Sequence, residues 1–181
     1  MPDDPAELFK KAADILHPAM MLHGREEEAV KPKQIRDAIA MLDKAISIAP
    51  DNFATHWLKG KAYQVLDESK KAYDAFQQSF HYNQENPDVA RELAIECCNL
   101  GMGEEAVAAA RHALLLDRGN AGLMGNLALC YLINGEVEEA LAQITTALQV
   151  SPVDEINQRL KTIINEVRSG KRKRPYKYAD L

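Results

Sequence analysis

Residues 87–120 read PDVARELAIECCNLGMGEEAVAAARHALLLDRGN, and residues 121–154 read AGLMGNLALCYLINGEVEEALAQITTALQVSPVD. Set one above the other, they bring Gly101 over Gly135, Ala106 over Ala140, Ala113 over Ala147 and Leu114 over Leu148. Residues 53–86 join in the same phase, with Ala72, Ser79, Phe80 and Tyr82. Stepping back one more period puts Ala38, Ala45, Ile46, Ile48, Pro50 and Asn52 on corresponding positions. A fixed period of 34 residues means one supersecondary unit repeated, and such units bury their apolar faces by stacking on one another.

Within each unit the apolar spacing is that of a helix. Leu93, Ala94, Cys97, Cys98 and Leu100 form one face, and Ala106, Val107, Ala110, Ala113 and Leu114 another. Steps of three and four residues match a period of 3.6, not the alternation of a strand. Gly101 and Gly135 separate the two runs of their units and supply a backbone free to take positive φ at a helix end. Each unit is therefore read as helix, tight turn, antiparallel helix. The recurring Ala and Ser residues let the two helix backbones approach where they cross.

Composition agrees. The chain has 181 residues, 46% hydrophobic and 27% charged, which excludes wholesale disorder. Aromatics make up only 6%, with 9 Gly and 8 Pro, which speaks against a turn-rich β-sandwich. No run approaches the length of a membrane span. The opening Met1-Pro2-Asp3-Asp4-Pro5 is acidic where a secretory signal is basic and then apolar. Three cysteines, two of them adjacent, make no disulfide framework. A cytoplasmic location is the expectation.

These residues resemble the tetratricopeptide repeat, whose length is 34 and whose pattern sets Trp, Leu-Gly and Tyr before Ala, an aromatic and Pro. Gly60, Tyr63, Ala72 and Phe76 fit in the first full unit, and Leu127, Tyr131, Gly135, Ala140 and Pro152 in the last. Trp57 lies one residue late, Gln84 and Arg118 stand for the closing Pro, and Ala94 and Ala128 for Gly. The resemblance implies an all-α, right-handed α-solenoid of antiparallel helix pairs. One solenoid domain is expected over 1–170, with an irregular first unit at 5–52 and repeats at 53–86, 87–120 and 121–154.

The two ends are less regular. Residues 6–22 read as a helix with Ala6, Phe9, Ala12, Ala13, Leu16 and Met20 on its apolar stripe, and Pro18 as a site for a kink or a second short helix. Residues 23–28 read as an exposed loop or helix extension. Residues 154–168 read as a C-terminal capping helix with Asp154 as N-cap, Ile156, Leu160, Ile163, Ile164 and Val167 inward, and Asn157 outward. Residues 171–181 carry five basic side chains and one acidic, a flexible basic tail of net +4 against a body of −9.

Catalytic signals are missing. There is no phosphate-binding glycine loop, no HExxH and no CxxC, so no enzyme activity, cofactor or metal is expected. Cys97, Cys98 and Cys130 read as small packing residues, and the five His share no spacing. What the resemblance implies instead is a concave groove lined by the first helix of each repeat. Its ligand-facing positions fall here on Ala54, Trp57 and Lys61, then Asp88, Arg91, Ile95 and Cys98, then Gly122, Gly125, Leu129 and Leu132, with Asn126 beside them.

That groove reads as polar and cationic at Lys61 and Arg91 and apolar towards Leu132. Trp57 is expected either beside Arg91, as a hot-spot pair, or packed between helices. Gly122 and Gly125 suggest a close approach by another backbone or helix. The carboxylate clamp that some relatives use on chaperone tails needs Asn where Lys61 and Leu129 stand, so that ligand is not expected. The expected function is a non-enzymatic scaffold holding another protein's peptide or helix. The alternative is a self-assembling structural protein or homo-oligomer whose groove takes a neighbouring copy's terminal segment. The basic tail could meet phosphate, but the acidic body opposes it, and nucleic-acid binding is not expected.

Overall fold

The computed structural model describes residues 4–21 and 30–181. The segment 23–28, read as a loop or helix extension, lies outside the described residues. Every regular element among those described is helical. Two compact units are present, residues 1–83 and 84–181, and each is taken by itself.

The first unit holds α1 (Pro5–Met21), α2 (Pro32–Ile48), α3 (Phe53–Val65) and α4 (Ser69–Tyr82). Consecutive helices pack, α1 on α2, α2 on α3 and α3 on α4. Ala12, Leu16, Ile35, Ala38, Ile39, Leu42, Leu58 and Ala62 form its buried cluster. Pro18 sits inside α1 without splitting it into two helices. The second unit holds α5 (Pro87–Asn99), α6 (Gly103–Leu116), α7 (Ala121–Asn134), α8 (Val137–Val150) and α9 (Glu155–Arg168). Here too each helix packs on the next, and α5, α7 and α9 touch in order along one layer.

Each pair starts and turns in the same way. Asn52, Asn86, Asn120 and Asp154 are spaced by the repeat, and each is an N-cap whose side-chain oxygen accepts from backbone N–H groups of the first turn. At the other end, Met102 N–H donates to Cys97 O at 2.8 Å and Glu136 N–H to Tyr131 O at 2.9 Å. These bonds close around Gly101 (φ 73°) and Gly135 (φ 92°), the left-handed residues that end α5 and α7. In the first unit the same place is taken by Asp67 at φ 57°, a residue type that tolerates this region better than most.

The small residues sit at the helix crossings. Ala72, Ala106 and Ala140 are wholly buried, as are Ser79 and Ala147, and Ser79 Oγ donates to Phe53 O at 2.9 Å. A side chain on Gly60 would meet the Phe76 ring at 2.6 Å, so the largest core side chain of this pair requires the smallest neighbour. At the equivalent positions stand Ala94 with Ala110 and Ala128 with Ile144, all buried. The replacement of Gly by Ala in the later repeats goes with a smaller partner.

Two expectations about the C-terminal part need correction. Ile156 is not inward: it is 80% exposed, whereas Asn157, placed outward from the sequence, is 3% exposed. The buried stripe of α9 is Asn157, Leu160 and Ile164, because Asn157 turns in to donate to Ala121 O and Asp154 Oδ2, both at 3.2 Å. Residues 171–181, read as a flexible tail, lie against the second unit. Arg174 donates to Ile133 O at 2.5 Å, Pro175 is buried, and the 3-10 turn Tyr178–Asp180 contacts α5. Cationic side chains meet helix C-termini there, which is favourable where carbonyls lack intrahelical partners.

Candidate functional site

The twelve positions expected to line a groove divide between the units, and each is described with partners in its own unit. In the first, Ala54, Trp57 and Lys61 lie on α3 and are all partly exposed. Trp57 packs against the buried cluster of α1, α2 and α3 together with Phe9, Tyr63 and Leu66. Its indole N–H finds no hydrogen-bond partner among the described residues. The Lys61 ammonium lies 6.0 Å from the centre of the indole ring, at the outer limit of a cation–π contact.

In the second unit α5 and α7 present a mixed strip. Asp88 is exposed, and its carboxylate accepts from Arg91 Nη1 at 2.7 Å, while Arg91 Nη2 reaches Glu92 Oε1 at 2.8 Å. The cationic character expected at Arg91 is therefore corrected. Arg91 lies between two carboxylates, so the local charge of these three side chains is negative. Ile95, Asn126 and Leu129 are half-buried and offer edges to solvent. Gly122 is exposed, and only Asn120 Oδ1, at 3.2 Å, stands near the place of a side chain there.

Three positions are not available to a ligand. Leu132 and Cys98 are buried at 0% and 1%, because α5 and α7 pack directly and Cys98 Sγ lies 3.5 Å from Cys130 Sγ. Gly125 is covered by α9: a side chain there would stand 2.0 Å from Asn157 Oδ1. A helix does approach closely at this glycine, but it is the chain's own capping helix. Reading groove positions by number alone missed this, since it cannot see where the terminal helix lands.

Sequence reasoning also passed over Glu92 and Glu96, buried at 4% and 1% on α5. Beside the ion pair to Arg91, Asn99 Nδ2 donates to Glu96 Oε2 at 3.1 Å. The available signal was an i, i+4 acidic pair enclosing the apolar run Leu93-Ala94-Ile95 and followed by Cys97-Cys98. Among the described residues no group of three or more His, Cys, Asp or Glu side chains could hold a metal.

The thiols behave as packing residues. Burial, with Cys98 beside it, pushes the Cys97 thiol up to about 12, and the hydrogen bond with Cys98, then burial, raises Cys130 well above its ordinary value. At neutral pH a thiol-specific disulfide reagent should therefore label none of the three in the native chain and all three after denaturation. Rapid native labelling would contradict the packing. The linkage has a definite sign. Unfolded thiols ionise near pH 9 and folded Cys97 near 12, so its contribution to stability is complete below pH 9 and lost as pH rises towards 12. The urea midpoint should be insensitive to this group at pH 7–8 and fall across that alkaline window.

No protein-family model and no curated sequence matches the chain. Solved structures do resemble it. A MamA protein superimposes with a TM-score of 0.73 at 16% identity, over 91% of this chain and 84% of that one. YrrB, described as a TPR protein with an unusual peptide-binding site, gives 0.68 at 19% identity over 91% and 85%. The second TPR domain of human RPAP3, solved with the HSP70 peptide SGPTIEEVD, gives 0.58 at 15% identity over 63% and 98%.

Proposed function

We propose, from the tetratricopeptide-repeat fold that these helix pairs adopt, that the chain is a non-enzymatic interaction module holding a peptide or helix of another protein. The observation that carries the reading is the strip on α5 and α7, where half-buried Ile95 and Leu129 share the two helices with the Asp88–Arg91–Glu92 network and Asn126. A segment that carries both apolar residues and hydrogen-bonding groups fits such a strip. The three cysteines are free and buried, which suits a reducing compartment such as the cytoplasm. Among the described residues no helix is long and apolar enough to cross a membrane. Peptide binding by YrrB and RPAP3 supports the same reading.

The test is affinity capture with the full chain, followed by variants of the strip. Ile95→Ala with Leu129→Ala, and separately Arg91→Ala, should weaken capture of the recovered partner by ~30-fold, the scale of a 2 kcal/mol hot spot. Val153→Ala, at an 83% exposed residue off the strip, is the control. Undiminished binding by folded strip variants would remove this surface from the mechanism.

A further inference from the structure

The C-terminal ends of α5, α7 and α9 all meet the segment 171–181. Lys171 N–H donates to Glu166 O of α9 at 2.9 Å, Arg174 to Ile133 O of α7 at 2.5 Å, and the Tyr178–Asp180 turn touches α5. Gly135 makes room for the guanidinium: a side chain there would lie 3.0 Å from Arg174 Nη1. At Gly101 the Tyr176 carbonyl lies 3.4 Å from the place of a side chain, an ordinary van der Waals contact. The segment is itself shaped for this seat. Arg174 lies 4.4 Å from the centre of the Tyr176 ring, and Asp180 Oδ2 accepts from Tyr176 N–H at 3.0 Å and Lys177 N–H at 3.2 Å. Arg172 closes the turn by donating to Leu181 O.

Yet the seat is loosely filled. Pro175 is the one residue of 171–181 that is buried, and Tyr176 and Tyr178 are 67% and 50% exposed. An open pocket of about 340 Å³, lined by Gly101, Gly103 and Asn134 and by Arg174 and Tyr176 of the segment, lies between the two. Specific hydrogen bonds with little buried apolar surface describe a ligand in a site rather than a part of the core.

We propose that the edge formed by the C-termini of α5 and α7 is a binding site for a cationic Arg-Pro-Tyr segment, and that residues 171–181 are its built-in, detachable occupant. The partial negative charge of the helix ends attracts the segment, and the left-handed Gly135 lets the Arg174 guanidinium come close. Covalent attachment through Gly170 gives the chain's own segment an effective concentration in the millimolar range, so it holds the site against free competitors. This site is separate from the Ile95–Leu129 strip, and the inference does not rest on the function proposed for that strip.

The probe is a fluorescent peptide with the sequence of residues 171–181, titrated into the full chain and into its Arg174→Ala variant. The variant, its own segment released, should bind the peptide at least tenfold more tightly than the unaltered chain does. A peptide carrying the same Arg174→Ala change should bind neither. Amide exchange supplies the second measurement. Residues 174–181 should be protected in the unaltered chain and lose that protection in the variant, with α5 to α9 unchanged. Equal peptide binding by both chains, or equal binding of both peptides, would overturn the site. Unprotected amides in the unaltered chain would overturn the occupant. A dimer that Arg174→Ala dissolves would overturn the intramolecular form, since the segment would then serve a second copy.

Discussion

Replacing Gly125 with Val should detach the capping helix α9. A Cβ at residue 125 would stand 2.0 Å from Asn157 Oδ1 and 3.0 Å from its Cγ, so Asn157 has to leave. Its amide then gives up Ala121 O and the N-cap Asp154, and Leu160 and Ile164 lose the register that buries them. Overpacking costs about 1–3 kcal/mol, and a buried polar group left without a partner about 1–3 more. Denaturant unfolding should show a loss of roughly 2–6 kcal/mol, with amide protection lost first in α9. Gly122→Ala is the comparison. That site is exposed, and the change should be neutral or gain up to about 1 kcal/mol of helix propensity. Should Gly125→Val be as stable as the parent, α9 does not close on that glycine.

Phe76→Ala should have an effect of similar size in the other unit. Phe76 is the largest fully buried side chain, and its ring fills the space that Gly60 leaves open. Removing it opens a cavity whose walls are two helix backbones that cannot readily collapse, a loss of about 3–5 kcal/mol. The later repeat with Ala128 and Ile144 at these positions shows a different filling of the same crossing. Phe76→Ile combined with Gly60→Ala should therefore lose less than the sum of the two single changes, by at least about 1 kcal/mol in a double-mutant cycle. Strict additivity would show that the two residues are not packing partners.

Much of the fold was legible because it depends on short-range chemistry. The period, the Ala and Ser crossings and the turns at Gly101 and Gly135 are all set within one 34-residue unit. The cap at Asp154 was legible for the same reason. The orientation of α9 was not. Ile156 is the more apolar residue, but Asn157, with its tertiary hydrogen bond to Ala121 O, is the buried one, and no pattern within α9 encodes that choice. The site was legible as a column of positions and no further. Number alone could not show that Cys98 and Leu132 are consumed by packing of α5 on α7. Nor could it show that Arg91 is held by two carboxylates, one of them nearly buried. The tail misled in the opposite direction: a run of charges usually means a solvated end, but here helix termini attract it.

The left-handed glycines that end the helices differ in how freely the sequence can drift. At Gly170, with φ 73° and open space where a side chain would go, the demand is for backbone conformation alone, and Asn can meet it. Gly135 answers two demands, the positive φ and the guanidinium of Arg174 pressed against it, and Asn satisfies only the first. Asp67, at the same place in the first unit, meets the positive φ without being glycine. Among descendants of this chain, glycine at residue 135 and arginine at residue 174 should therefore be kept or lost together, while residue 170 wanders.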